Sequence, residues 1–207
     1  MRNYVLLLLC LLSTNLWAAD SEQKRLYAGG SLGFSELDDD GMGDHLDLDD
    51  NALAFRVFGG YQFNTYLAAE AAVDFLGMYN GETTTADLDS SYSALTLSLV
   101  GRLPLGDGLS IYAQGGMGVA SIYQWVDGVI GSYYYDDGDE ADSGLARSWG
   151  AGISYMLPGD ESIEVRAGFL QTEFELDALS VNGTGNLVQN EYDQNIKQLY
   201  LGAAIHF

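Results

Sequence analysis

Three bases and three acids, Arg56, Arg102 and Arg166 with Glu70, Asp74 and Glu164, sit in segments otherwise filled by apolar and small residues. Charges withdrawn from water persist when they are paired. Two chemistries fit such a set: a neutral network of ion pairs that holds an interior together, or a gate in which partner exchange opens a narrow ion path. Other residue types suggest other work. The chain has only two histidines, His45 and His206, and His45 with Asp89 and Ser90 supplies the base, orienter and nucleophile of an acyl-transferring site. No motif surrounds Ser90, so a non-enzymatic protein is expected. The run "ELDDDGMGDHLD" has the look of a calcium loop. Aligning Gly41 with the glycine of an EF-hand loop puts Glu36, Asp38, Asp40 and Asp47 on liganding positions. The first ligand would be Glu, the last Asp, and no helix flanks the run. A solvated acidic loop with diffuse divalent-cation binding is expected in place of a specific metal site, and no cofactor is implied.

Which of these residues meet depends on the elements that carry them. No long stretch keeps a helical period, whereas period-two alternation recurs eight times, over Leu26 to Ser35, Leu53 to Phe63, Leu67 to Gly77, Tyr92 to Leu103, Leu109 to Tyr123, Leu145 to Leu157, Ile163 to Phe174 and Gln194 to Phe207. Three connections are tight, Asn64 to Tyr66, Gly106 to Gly108 and Pro158 to Ser162, and both prolines, Pro104 and Pro158, stand beside them. The other four, Glu36 to Ala52, Met78 to Ser91, Gln124 to Gly144 and Glu175 to Asp193, are long. They hold 8, 3, 6 and 4 acidic residues, 21 of the 30 in the chain, and no Lys or Arg. An up-and-down sheet with short turns at one end and an anionic cap at the other follows. Closing the first hairpin with Phe63 opposite Leu67 would put Arg56 opposite Asp74, both pointing inward.

Alternation serves a soluble barrel and a membrane barrel equally well, so the contents of the two faces must decide. One face carries Ser31, Gly33, Thr96, Ser98, Gln114, Gly116, Gly118, Ser148, Gly150 and Gly152. Residues this small suit the crowded interior of a barrel of about eight strands, whose width side chains just fill. The opposite face carries Leu32, Phe34, Phe55, Leu95, Leu97, Leu99, Ile111, Met117, Trp149 and Ile153, a sticky band in water and the required surface in lipid. Aromatic residues gather at both edges of that band, as interfacial girdles do.

The stretches "LYAGGSLGFSEL", "FRVFGGYQF" and "LYLGAAIHF" resemble the small OmpA/OmpX-type outer-membrane β-barrels of Gram-negative bacteria. The resemblance implies an all-β fold, an eight-stranded antiparallel up-and-down transmembrane β-barrel in the cell outer membrane, monomeric, with outer-membrane lipids and lipopolysaccharide around it. It also implies a structural and surface role with at most a narrow pore. Leu199, Leu201, Ile205 and the terminal Phe207 resemble the signal read by the outer-membrane assembly machinery. The sequence ends there, so the peptidoglycan tethering of longer relatives is not expected. Loop-mediated adhesion or cation binding, and modification of lipid A acyl chains, are the alternative activities of such barrels.

The first residues agree with export. "MRNYVLLLLCLLSTNLWAAD" has a positive start, a short apolar run and small residues at Ala18 and Ala19, the pattern of a signal peptide over 1–19 that leaves 20–207 as the barrel. Leu11 and Leu12 continue the run past Cys10, against lipid attachment there, so the processed chain has no cysteine. Losing Arg2 leaves 7 basic residues against 30 acids and moves the formal charge from −22 to −23. Such a chain repels nucleic acid.

Overall fold

The computed structural model describes residues 25–38, 47–48, 51–82, 86–130, 133–159, 162–181 and 187–207. Its strands are β1 (Leu26–Asp38), β2 (Asp47–Leu48), β3 (Asn51–Asn64), β4 (Leu67–Glu82), β5 (Ala86–Gly106), β6 (Leu109–Ile130), β7 (Tyr133–Met156), β8 (Ile163–Val181) and β9 (Leu187–His206). They lie in the order β2-β4-β3-β1-β9-β8-β7-β6-β5, all neighbours antiparallel, and β4 also pairs with β5. The sheet therefore closes on itself. First and last long strands meet from Tyr27 opposite His206 to Asp38 opposite Asn195. β2 pairs only with Gly81 and Glu82 of β4, beyond the stretch that β3 occupies on the same edge, so the barrel has eight staves.

Turn chemistry fixes the tight ends. Asn64 Oδ1 accepts the Tyr66 N–H at 2.8 Å, an Asx turn that closes the β3–β4 hairpin. Between β5 and β6, Asp107 and Gly108 have φ of 51° and 80°, the pair of left-handed residues that a two-residue hairpin loop matched to strand twist requires. The pairing at the first turn differs from the expected one. Asn64, not Phe63, faces Leu67, and the ladder shifts by one between Gln62 and Asn64, leaving Phe63 as the extra residue. Below that shift, Arg56 does face Asp74.

The long connections are shorter than alternation suggested. β4 runs to Glu82 and β5 starts at Ala86; β6 runs to Ile130 and β7 starts at Tyr133; β8 runs to Val181 and β9 starts at Leu187. The ladder continues where alternation stops, because beyond a bilayer neither face of a strand must be apolar. The faces themselves fall as expected. Leu97 is 64% exposed and Phe34 72%, while Arg56, Glu70, Asp74 and Arg166 are all buried. Apolar side chains point out and charges point in.

Candidate functional site

The closed wall brings the six ionisable residues together as one alternating chain of bases and acids. Asp74 Oδ1 lies 2.9 Å from Arg56 Nη1, and Arg56 Nη2 lies 3.1 Å from Glu70 Oε1. Glu70 Oε2 meets Arg166 Nη1 at 2.8 Å, and Arg166 Nε reaches Glu164 Oε1 at 3.2 Å. Arg102 Nη1 closes the series, 3.0 Å from the same Glu164 oxygen. Three positive and three negative groups cancel, which is what permits them to be buried. Glu70 and Asp74 also accept from hydroxyls: Tyr27 donates to Glu70 Oε2 at 3.0 Å and Thr96 to Asp74 Oδ2 at 3.3 Å.

Neighbouring rings hold the guanidinium groups in place. The Arg166 guanidinium carbon sits 5.0 Å from the Tyr27 ring centre and 4.7 Å from that of Phe58, both within cation–π range. His206 lies buried in the lumen with Nε2 2.7 Å from Glu164 Oε2, and its ring stacks on Tyr27 at 5.2 Å. Tyr27 in turn occupies the space that a side chain at Gly60 would fill. The cavity beside Arg56, bordered by Ser31, Ala54, Gln198 and Tyr200, measures about 10 Å³, the room of one water.

Above this charged tier the lumen changes character. Leu37, Leu76, Tyr79, Tyr92, Ile122, Phe174, Leu176 and Ile196 form a buried apolar cluster with Ala94, Ala120 and Ala146. The Tyr79 and Tyr92 rings meet edge to face at 5.7 Å, and Tyr92 packs on Phe174 at 6.0 Å. Their hydroxyls are satisfied: Tyr79 donates to Ser35 Oγ at 2.8 Å and Tyr92 to Gln194 Oε1 at 3.4 Å. A bulge brings Tyr79 into this tier. In β4, Phe75 faces Ser93 and Gly77 faces Tyr92, so Leu76 is the extra residue and the inward parity flips from even to odd positions. Tyr79 thereby enters the lumen while Met78 faces out, 50% exposed. Strict alternation hides Tyr79 from this tier, and the Gly77 after Phe75-Leu76 is the one local signal of it.

The remaining candidates are scattered. His45 and Asp40 lie outside the described residues, and of Asp47 only the strand position is described. Asp89 and Ser90 belong to β5 instead of a loop, and consecutive strand residues point to opposite faces: Ser90 is buried, accepting from Gln124 Nε2 at 3.1 Å, while Asp89 faces out. Glu36 and Asp38 stand together on the exposed face of β1. Among the described residues, no three His, Cys, Asp or Glu side chains lie close enough to share a metal. Leu199, Leu201, Ile205 and Phe207 all point outward, each more than half exposed.

A closed eight-stave barrel with an apolar exterior and a filled, charged interior narrows the comparison to small membrane barrels. Residues 21–207 match the model of the OmpA-like transmembrane domain. The chain belongs to that family. It is 30% identical over 144 residues to outer membrane protein A of Klebsiella aerogenes, covering 65% of this chain and 37% of that one. With outer membrane protein A of Shigella flexneri it shares 26% identity over 186 residues, 87% of this chain and 48% of that one. The chain thus spans about half or less of these relatives. Among solved structures, the Neisserial surface protein A has a TM-score of 0.56 at 13% identity, covering 88% of this chain and 97% of its own. Ail, the attachment invasion locus protein of Yersinia pestis, has a TM-score of 0.50 at 19% identity, covering 88% and 99%. Both likenesses show the fold. The OmpA-like barrel described here is an outer-membrane β-barrel.

Proposed function

We propose that this OmpA-like barrel is a non-catalytic structural and surface protein of the Gram-negative envelope, exported through the periplasm, with a lumen closed to all but the smallest ions. The observation that carries this reading is the filling of the lumen in two tiers, a neutral ion-pair chain beneath an apolar and aromatic cluster. An interior used in this way leaves function to the outer surfaces: the lipid-facing wall, the acidic end, and the closing strand that the assembly machinery would read. The concentration of 21 of 30 acids in four connections supports a cation-rich, anion-repelling surface at that end. Single-channel recording of the purified full chain in planar bilayers tests the closed lumen. The expected trace lacks the sustained steps of a water-filled pore, and steady conductance at low voltage would overturn the reading.

A further inference from the structure

Above the lipid-facing band the wall parts between β7 and β8. Their ladder ends at Ala146 opposite Phe174, although both strands continue, β7 pairing with β6 up to Tyr133 and β8 with β9 up to Val181. By contrast β5 and β6, which are also joined at the short-turn end, stay paired up to Ala86 opposite Gly128. The backbones of β7 and β8 still lie close at Gly144, where a Cβ would meet Glu175 O, so the open edge of β7 is counted from Ser143. At about 3.3 Å per residue and a tilt of about 45°, the stretch from Ser143 to Tyr133 rises roughly 23 Å, room for a strand of ordinary length. Its donors can be named. At the lower end Met156 N–H donates to Gly108 O on the β6 side, and the next residue, Leu157, to Ile163 O on the β8 side. Even-numbered donors of β7 therefore serve β6, and odd-numbered ones point towards β8. The ladder with β6 keeps one register from Tyr155 to Gly138, so Ala141 and Ser143 aim their N–H groups into the seam.

Charge accounts for the parting. Between Tyr133 and Leu145 the sequence of β7 has Asp136, Asp137, Asp139, Glu140 and Asp142 and no base, and β8 above Phe174 has Glu175 and Asp177. In the adjoining β8–β9 pair, Glu175 faces Asp193 and Asp177 faces Glu191, and like charges placed directly opposite weaken a ladder. Among the described residues, neither Glu175 nor Asp193 makes an ion pair. At the foot of the seam a recess of about 370 Å³ lies between Leu145 and Glu175, with Gln194 behind it. Gln194 is 2% exposed, and among the described residues its Nε2 has no hydrogen-bond partner, nor has Asn195 Oδ1 beside it. One donor and one acceptor stand open there, the complement of a peptide group.

We propose that the open edge of β7 receives an extended basic segment of another protein, which joins the barrel extension as an added strand. Main-chain bonds to Ala141 and Ser143 supply affinity, and alternate side chains supply specificity. The outward side chains of that strand stand beside Glu175 and Asp177, which selects Lys or Arg. Its inward side chains cover the apolar tier at Phe174 and Leu176, which selects apolar residues. A second copy of this chain is excluded as the occupant by its own charge, since its extensions carry the same acids. The inference rests on the reading that the acidic end is an exposed outer surface, and it names the partner that this surface fits.

The test uses the full chain folded into phosphatidylcholine nanodiscs, with folding checked by the heat-induced gel shift and binding read by fluorescence anisotropy at physiological salt. Three labelled peptides of about eight residues serve as probes: alternating Lys-Val, alternating Lys-Pro with the same charge but half its backbone donors removed, and alternating Glu-Val. Lys-Val is expected to bind about tenfold more tightly than Lys-Pro, and Glu-Val not at all. Ala141→Pro removes a donor from the open edge without touching the β6 ladder and lowers Lys-Val binding about tenfold, as does Ser143→Pro. Glu175→Gln with Asp193→Asn lowers it several-fold. Equal binding of Lys-Val and Lys-Pro, which reports diffuse attraction to the acids, overturns the proposal, as does undiminished Lys-Val binding by a folded Ala141→Pro or Ser143→Pro barrel. Should neither proline variant fold, the three peptides on the wild type decide. A wild-type barrel without a gel shift would instead sink the membrane reading beneath it.

Discussion

Glu70 and Arg166 meet at 2.8 Å although they are 96 residues apart and stand on β4 and β8, staves that lie opposite each other around the barrel. Their contact braces the wall across its diameter. It also divides the network evenly, since Arg56 and Asp74 remain paired on one side of it, and Arg102 and Glu164 on the other. Arg166→Met should therefore cost about 3 to 5 kcal/mol by leaving one carboxylate without its partner. Adding Glu70→Leu should recover most of that loss. Urea unfolding of both variants in phospholipid vesicles measures the difference, and a double variant as unstable as the single one would refute the pairing argument.

Gly77 carries the parity flip in β4 with φ of 141°, a conformation that side chains rarely adopt. A Cβ there would also lie 2.7 Å from Ala52 Cβ and 2.9 Å from Ser35 Oγ. Gly77→Ala is expected to lose about 2 kcal/mol or more, and Gly101→Ala, in the same sheet with open surroundings, much less. Denaturation midpoints of the two variants side by side decide the matter.

The two tiers of the lumen should be separable. Phe174→Ala removes a ring from the upper cluster and is expected to destabilise the barrel by about 3 to 5 kcal/mol. Conductance should stay at the wild-type level, because the ion-pair chain below it still fills the cross-section. Open channels in this variant alone would assign closure to the apolar tier.

Phe207 points outward, 65% exposed, and its N–H donates to Leu26 O at 2.8 Å, a bond that survives any side-chain change. Phe207→Ala should refold in detergent as wild type does, losing less than about 1 kcal/mol. In cells its yield in the outer membrane should fall several-fold if the closing strand is read as an assembly signal. Equal yields would remove that role.

Much of this architecture was legible in the residues. Small side chains alternating with leucines distinguished inside from outside, and the Asn64 to Tyr66 turn was enough to pair Arg56 with Asp74. Contacts between opposite staves were not legible, because alternation speaks only of which face a residue takes and nothing of what lies across the lumen. Glu70 with Arg166 emerges only from closure, whereas Glu164 with His206 is a diagonal pair on the neighbouring strands β8 and β9. Tyr79 escaped notice for a different reason: one extra residue, Leu76, reverses the phase of everything after it. The strand extensions escaped because an exposed ladder carries no hydrophobic signature.

Those extensions set a dimension. A bilayer needs about 9 to 11 residues of a tilted strand, and β7 has 24. Above Leu145 it continues for 12 more residues, from Tyr133 to Gly144, which at the same rise and tilt reach roughly 28 Å beyond the lipid-facing band. The acidic residues of this strand are thus carried on a hydrogen-bonded pedestal. A large object approaching the cell would meet its negative charge before it touched the lipid, at a standoff set by strand length.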